Sequence, residues 1–345
     1  LNEILGIYAE CSGQAVNREK SSIYFGANTG QPLRQSLKQS LGIFVEAFSE
    51  RYLGLPTAIG KITSGTFDHM VDRCRDKMRG WSERNMACAA REVLLKTVVQ
   101  SIPTFSMSCF LLTKKVCKSI TSCMAKYWWG SSIDKRSLHW LSWEKLEVPK
   151  VKGGMGFRNM QGFNLAMLGK HGWRLLTRPD SLCARVLKGK YYPHTDFLNA
   201  TVPARASATW KAIVAGRDAL QVGLIRRVGD GSTISTWTDS WIPNTTALKP
   251  SGRIGTAPLT RVSDLIDEYT GNWNEQLVCQ NFLHPDAAAI LNIPLNPAGG
   301  EDTLAWALEK SGIYTVKSAH RSLMTLNEHS AQREGTATGT SEKQK

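Results

Sequence analysis

The chain has 345 residues, 42% of them hydrophobic and 21% charged. This balance excludes wholesale disorder and leaves room for two or three domains with packed cores. Lys and Arg number 43 against 29 Asp and Glu, a net charge of +14. No run approaches the roughly 18 unbroken apolar residues of a membrane span.

The excess charge is local. Residues 1–60 are neutral, 61–160 carry +10, 161–240 carry +6 and 241–345 carry −2. Charge alone leaves two readings open: a surface for a polyanion, whose neutralised phosphates release counterions, or a solvated face that aids solubility. The eight cysteines lie at 11, 74, 88, 109, 117, 123, 183 and 279. None forms a C-x-x-C pair and no His follows at finger spacing, so no metal site is expected. Scattered thiols suit an intracellular compartment. Leu1 is followed by an acidic residue, Glu3, not by the basic-then-apolar pattern of a secretory leader. A chain that opens in mid-pattern reads as part of something longer.

In chain order, Ile4, Leu5, Ile7 and Tyr8 predict the end of an apolar helix, broken at Ser12-Gly13-Gln14. Residues 22–26 predict a short strand, 31–42 a helix, and 51–56 a strand that pairs with 58–63. From residue 66, Phe67, Met70, Val71, Cys74, Met78 and Trp81 recur at spacings of three and four, which puts them on one helical face. A second helix is expected over 89–102, stopped by Pro103. A third, over 114–129, should bury Val116, Ile120, Cys123, Met124 and Tyr127. Three adjacent amphipathic helices with basic outer faces predict a bundle.

Gly153-Gly154-Met155-Gly156 lacks the Lys-Ser/Thr ending of a phosphate loop and is read as a turn. Helices are expected over 162–176, 181–191 and 207–222. A β-hairpin is expected over 224–237 with Gly229-Asp230-Gly231 at its turn. Residues 243–260 read as a Pro/Thr/Ser/Gly linker. A second hairpin is expected from 303–308 and 312–316, then a helix from Ser318, then a disordered tail from Glu328. Eleven tryptophans are many for this length. Those near the basic stretch suit either base stacking or core anchoring, and core anchoring is favoured. The fold class is mainly α with small β elements.

Several of these segments resemble the plant non-LTR (LINE-type) retrotransposon reverse transcriptases. Ser12-Gly13-Gln14, Asn17 and Lys20-Ser21-Ser22 are similar to the segment that follows the catalytic Asp-Asp motif. Tyr52-Leu53-Gly54-Leu55-Pro56 resembles the element that closes the palm beside the primer grip. Gly80-Trp81, the run Arg91 to Lys96 and Trp128-Trp129-Gly130 resemble the thumb. Gly153 to Arg158, Phe163-Asn164, Gly172 to Leu176 and Val228 to Gly231 resemble the region after it. Gly312 to Ser318 resembles the opening of a zinc-binding C-terminal module. The matches run in family order to about residue 325.

The resemblance implies terminal palm elements over 1–62, a helical thumb over 63–150 and a helical connection with a hairpin over 151–242. It implies a linker over 243–260, the start of a truncated C-terminal module over 261–327 and a disordered tail over 328–345. It implies RNA-templated DNA synthesis in the complete enzyme, with Mg²⁺ held by palm aspartates. This chain has no Asp-Asp dipeptide, so the aspartates are expected upstream and the chain alone is expected to be inactive, with no cofactor of its own. By the same resemblance Lys20 stands near the incoming nucleotide, where it would assist the leaving pyrophosphate; otherwise it is a surface lysine beside a turn. RNA and DNA are the expected partners, with no membrane. Arg73, Lys77, Arg79, Arg84, Lys114, Lys115, Lys118, Arg174, Lys188 and Lys190 are the candidate phosphate contacts, chosen by charge and helix face. The compartment implied is the nucleus, with an organellar remnant as the alternative. The rival function is a non-enzymatic, degenerate or domesticated remnant.

Overall fold

In the computed structural model of the chain, the residues described are 1–26, 28–46, 51–52, 55–56, 65–82, 86–130, 138–243, 248–296 and 299–326. The protein is mainly helical with two small antiparallel ribbons. It divides into two compact units, Leu1–Thr66 and the remainder from Phe67. Among the described residues no helix is long and apolar enough to cross a membrane.

The first unit holds α1 (Asn2–Ser12) and α2 (Gln31–Leu41). Each ends on a left-handed glycine, Gly13 (φ 68°) and Gly42 (φ 66°), the conformation glycine adopts without a Cβ penalty. Glu46 ties the segment after α2 back to that helix through Arg34 at 2.6 Å and Lys38 at 2.7 Å. The strand expected over 22–26 reduces to one bridge, Ile23 to Glu46. β1 (Arg51–Tyr52) and β2 (Leu55–Pro56) pair with each other; the partner expected over 58–63 lies outside the described residues. No described side chain of this unit is buried.

The second unit begins with the bundle. α3 (Asp68–Ser82) and α6 (Lys114–Gly130) face each other through the residues their periodicity marks. Phe67, Cys74, Met78, Ile120 and Met124 are fully buried. The helix expected over 89–102 is shorter: α4 (Cys88–Thr97) tightens into a 3₁₀ turn at Val99–Ser101. After Pro103 the chain returns to helix in α5 (Thr104–Cys109). Proline is tolerated there because a first-turn position needs no N–H. Buried Asn164 holds the next turn: its Oδ1 accepts from Leu112 N–H at 2.8 Å. Its Nδ2 donates to the Met107 and Phe110 carbonyls at 2.8 and 2.9 Å.

α7 (Trp143–Glu147) is a short helix with no sequence expectation. α8 (Met160–Thr177), α9 (Leu182–Tyr191) and α10 (Ala208–Gln221) fall where expected. Asn159, Ser181 and Ser207 cap them by accepting from N–H groups of the first turn. α8 and α10 approach closely at Gly169 and Gly216. A Cβ on Gly216 would stand 2.5 Å from the Gly169 nitrogen. Tyr191, Tyr192 and Phe197 gather around the buried Trp210, with Tyr191 stacked on it at 4.6 Å.

Neither expected hairpin forms. β3 (Leu224–Arg227) pairs instead with β4 (Thr303–Trp306), in the register Leu224 to Trp306 and Arg227 to Thr303. The chain between them folds into a lobe with its own core of Trp241, Ile242, Val262, Leu265, Phe282 and Ile290. α11 (Glu275–Asn281) and α12 (His284–Leu291) belong to it. The composition-based linker over 243–260 is also corrected. Leu259 is buried in this core, the Trp241 and Ile242 N–H groups both donate to Leu248, and Ser251 bonds Asp286 at 2.6 and 3.1 Å. Asp302 closes the lobe: its carboxylate accepts from the Gly229, Gly231 and Thr233 N–H groups at 2.8, 2.9 and 2.9 Å. Beyond β4, Trp306 N–H meets the Gly312 carbonyl and the chain enters α13 (316–326). Tyr314 anchors that return by donating to the Ala166 carbonyl at 2.7 Å. The expected tail from 328 lies outside the described residues.

Candidate nucleic-acid interface

The basic residues fall into three groups. Arg73, Lys77 and Arg79 lie on the exposed side of α3. Arg174 is exposed on α8, and Lys188 and Lys190 are exposed at the end of α9. Lys190 sits over the Tyr191 ring at 5.3 Å, and Lys188 lines a cleft of about 860 Å³ beside the inserted lobe. Arg84 lies outside the described residues. Of the palm-like run, Leu53 and Gly54 lie outside them too, and Tyr52, Leu55 and Pro56 are placed only by their strand pairing. Lys20 is exposed beside a turn in which its own N–H donates to Asn17 Oδ1 at 3.1 Å.

Lys114, Lys115 and Lys118 form the third group. They open α6, whose first turn has no acidic residue. Lys114 and Lys115 in that turn oppose the helix dipole, each at a cost of about 0.3–1 kcal/mol, and Lys118 follows one turn further on. None of the three makes an ion pair among the described residues. All three line one cleft of about 470 Å³, whose other wall carries Glu144, Glu147, Asn159 and Gln161. Other lysines are consumed internally. Lys96 and Lys150 both pair with Glu92 at 2.7 Å; their hydrogen bonds, Lys150 first, hold its carboxyl below the usual range. Lys96 also donates to the Met155 carbonyl at 2.6 Å. The glycine-rich segment is thus a clamped turn, with left-handed Gly153 and Gly156.

The acidic wall has an unusual member. Glu147 is 8% exposed. Burial, and to a lesser degree the Glu144 carboxylate, push its carboxyl up to about 7 against the hydrogen bond of Asn159. Asn159 Nδ2 donates to Glu147 Oε2 at 2.9 Å while Asn159 Oδ1 caps α8 through Gly162 N–H at 2.8 Å. One asparagine therefore starts α8 and holds the acid. Sequence reasoning missed Glu147, Asn159 and Gln161. The legible signal was Asn159 three residues before a glycine at a helix start. The tryptophans act mainly as core anchors: Trp210, Trp241 and Trp306 are fully buried, and Trp140 is 75% exposed.

Fold and charge define a basic, mainly α-helical protein with an inserted, separately cored lobe. No protein-family model matches the chain. Over 151 residues it is 40% identical to the "Uncharacterized mitochondrial protein AtMg00310" of Arabidopsis thaliana, across 44% of this chain and 98% of that protein. The chain belongs to the family of that mitochondrial protein. Over 292 residues it is 32% identical to the "Putative ribonuclease H protein At1g65750" of the same plant. That alignment covers 79% of this chain and 45% of the relative, so the chain spans less than half of that protein's length.

Proposed function

We propose that the chain is the C-terminal part of a plant LINE-type reverse transcriptase lineage, and that its own property is binding of nucleic-acid backbone. The observation that carries the binding is the set of three lysines held in one cleft with no ion pair among the described residues, two of them against their helix dipole. A placement that costs stability and has no partner among the described residues is expected where a ligand supplies the missing charge. The ordered motif series supports the lineage, as do two plant relatives, one of them named for ribonuclease H. In this reading 1–62 closes a palm, 63–150 is thumb, 151–242 is connection, and the start of a C-terminal module lies within 261–327. Lys20 would assist the leaving pyrophosphate only beside the upstream aspartates and their Mg²⁺.

Fluorescence anisotropy against salt tests the binding. Duplex and single strand should bind without sequence preference, and log affinity should fall linearly with log salt. Reversing Lys114, Lys115 and Lys118 together to Glu should flatten the duplex slope by about 2 to 3, near 0.9 per phosphate. An unchanged slope sinks the assignment. Primer extension on an RNA template with Mg²⁺ or Mn²⁺ should stay at background, and reproducible incorporation by the pure chain would overturn the partial-enzyme reading. The mitochondrial relative favours a second reading, an organellar remnant without enzymatic role. An in-frame Ala-Asp-Asp segment in the upstream transcript would decide against it.

A further inference from the structure

The lysine cleft contains a carboxyl group that has no place in a simple cationic patch. We propose that this cleft is a phosphate site in which Glu147 takes part as the neutral acid, so that binding is gated by one proton. The proposal rests on the nucleic-acid reading above and names the regulation of the same site.

Glu147 shares the cleft with Lys114, Lys115 and Lys118 and pairs with none of them. A buried carboxylate without a cationic partner is strongly disfavoured, and the group keeps its proton instead. Asn159 occupies Oε2 as an acceptor, which leaves Oε1 to carry that proton. A protonated carboxyl donates one hydrogen bond, and phosphate oxygens accept. The ionised form repels the same phosphate. The surrounding charges agree with this role. On α7 the exposed neighbour is Glu144. From α6 come the three lysines and Cys117, whose thiol burial pushes up to about 11 and so keeps protonated. From the start of α8 come the neutral Asn159 and Gln161. Beyond Asn159 stand Arg158 and His320. Burial holds His320 below its usual range.

A unit charge at the roughly 4 Å that a hydrogen-bonded phosphate sets, screened close to bulk water in an open cleft, changes affinity by about threefold to tenfold. Anisotropy of labelled duplex and single strand, at constant ionic strength and at about pH 6 and about pH 8, reads that step. The wild-type chain should lose about threefold to tenfold in affinity at the higher pH. Glu147→Gln should remove that loss and keep the low-pH affinity at both values. Glu144→Gln should raise affinity at both values and keep the step, moved toward lower pH by the loss of the Glu144 charge. Adding oligonucleotide should move the Glu147 carboxyl titration, followed by ¹³C NMR, upward by about half to one unit, as linkage requires. Competition by inorganic phosphate and by 5′-phosphorylated against dephosphorylated strands separates a terminal phosphate from an internal phosphodiester; equal competition by both strands assigns the phosphodiester. A Glu147→Gln chain with the wild-type pH step overturns the gate and leaves nucleic-acid binding standing. Retention of the step in the Lys114, Lys115 and Lys118 reversal places it elsewhere and also overturns the gate. Absence of binding at either pH overturns the nucleic-acid reading itself.

Discussion

Gly216 lies inside α10, where alanine ordinarily stabilises a helix by about 1 kcal/mol over glycine. Here Gly216→Ala is expected to destabilise. The new Cβ would stand 2.5 Å from the Gly169 nitrogen and 2.5 Å from the Leu168 carbonyl carbon, both α8 backbone atoms that cannot rotate away. Restoring ordinary carbon contacts of about 3.5 Å requires the helices to part by roughly 1 Å. That movement disturbs the Trp210 cluster and stretches the 2.7 Å bond from Tyr314 to Ala166. Overpacking costs about 1–3 kcal/mol and a weakened buried hydrogen bond about 1 more. Subtracting the propensity gain leaves a loss of about 1–3 kcal/mol. The internal control is Gly189→Ala in α9, where nothing lies within 4 Å of the added carbon. That variant should gain up to about 1 kcal/mol. Far-UV circular dichroism melts and urea midpoints of the two variants should move in opposite directions from wild type. A Gly216→Ala chain that melts at or above wild type would refute the close approach of α8 and α10.

Asn164→Leu should cost about 3 kcal/mol or more, because three buried backbone groups lose their partner; hydrogen exchange should show the Leu112 amide losing its protection. Burial raises the Asp302 carboxyl, but the hydrogen bonds from Gly229, Thr233 and Gly231 outweigh it and hold the group below 3.8. Its contribution is therefore present above that ordinary value and lost as pH falls through the lower folded one. Asp302→Asn should lower stability at neutral pH by about 1 kcal/mol and flatten the acid limb of the stability profile. Glu147 has the opposite sign. The folded chain keeps a proton that the unfolded chain releases near 4.5, so stability should decline as pH rises from there through about 7. The full loss is about 3 kcal/mol, and chemical denaturation of Glu147→Gln across that range should show it removed.

In the second unit α3, α4, α6, α8, α9 and α10 were legible in the sequence because their signal is local, whereas α5, α7, α11 and α12 were not read from it. The spacing of Phe67, Met70, Cys74 and Met78 commits one face to burial whatever that face meets, and those residues are buried. Ser181 and Ser207 mark helix starts for the same reason: a cap bonds its own first turn. Strand pairing is not local. Leu224–Arg227 and Gly229-Asp230-Gly231 read as half of a hairpin, yet the ribbon partner is Thr303–Trp306. The choice is made by a core that closes between them, and by an Asp302 carboxylate that satisfies the turn from far along the chain. The same division runs through the candidate site. Lys114, Lys115 and Lys118 announce a positive charge in one dimension, but whether acids neutralise them depends on what the fold brings near. Glu92 takes up Lys96 and Lys150, while the α6 lysines receive a carboxyl that burial keeps protonated up to about 7. Burial is a property of the neighbours that pack around a group, so Glu147 looks in sequence like any surface glutamate. Only the packing of α7 against the starts of α6 and α8 buries it and makes it a neutral acid in a basic cleft, against the hydrogen bond that Asn159 donates.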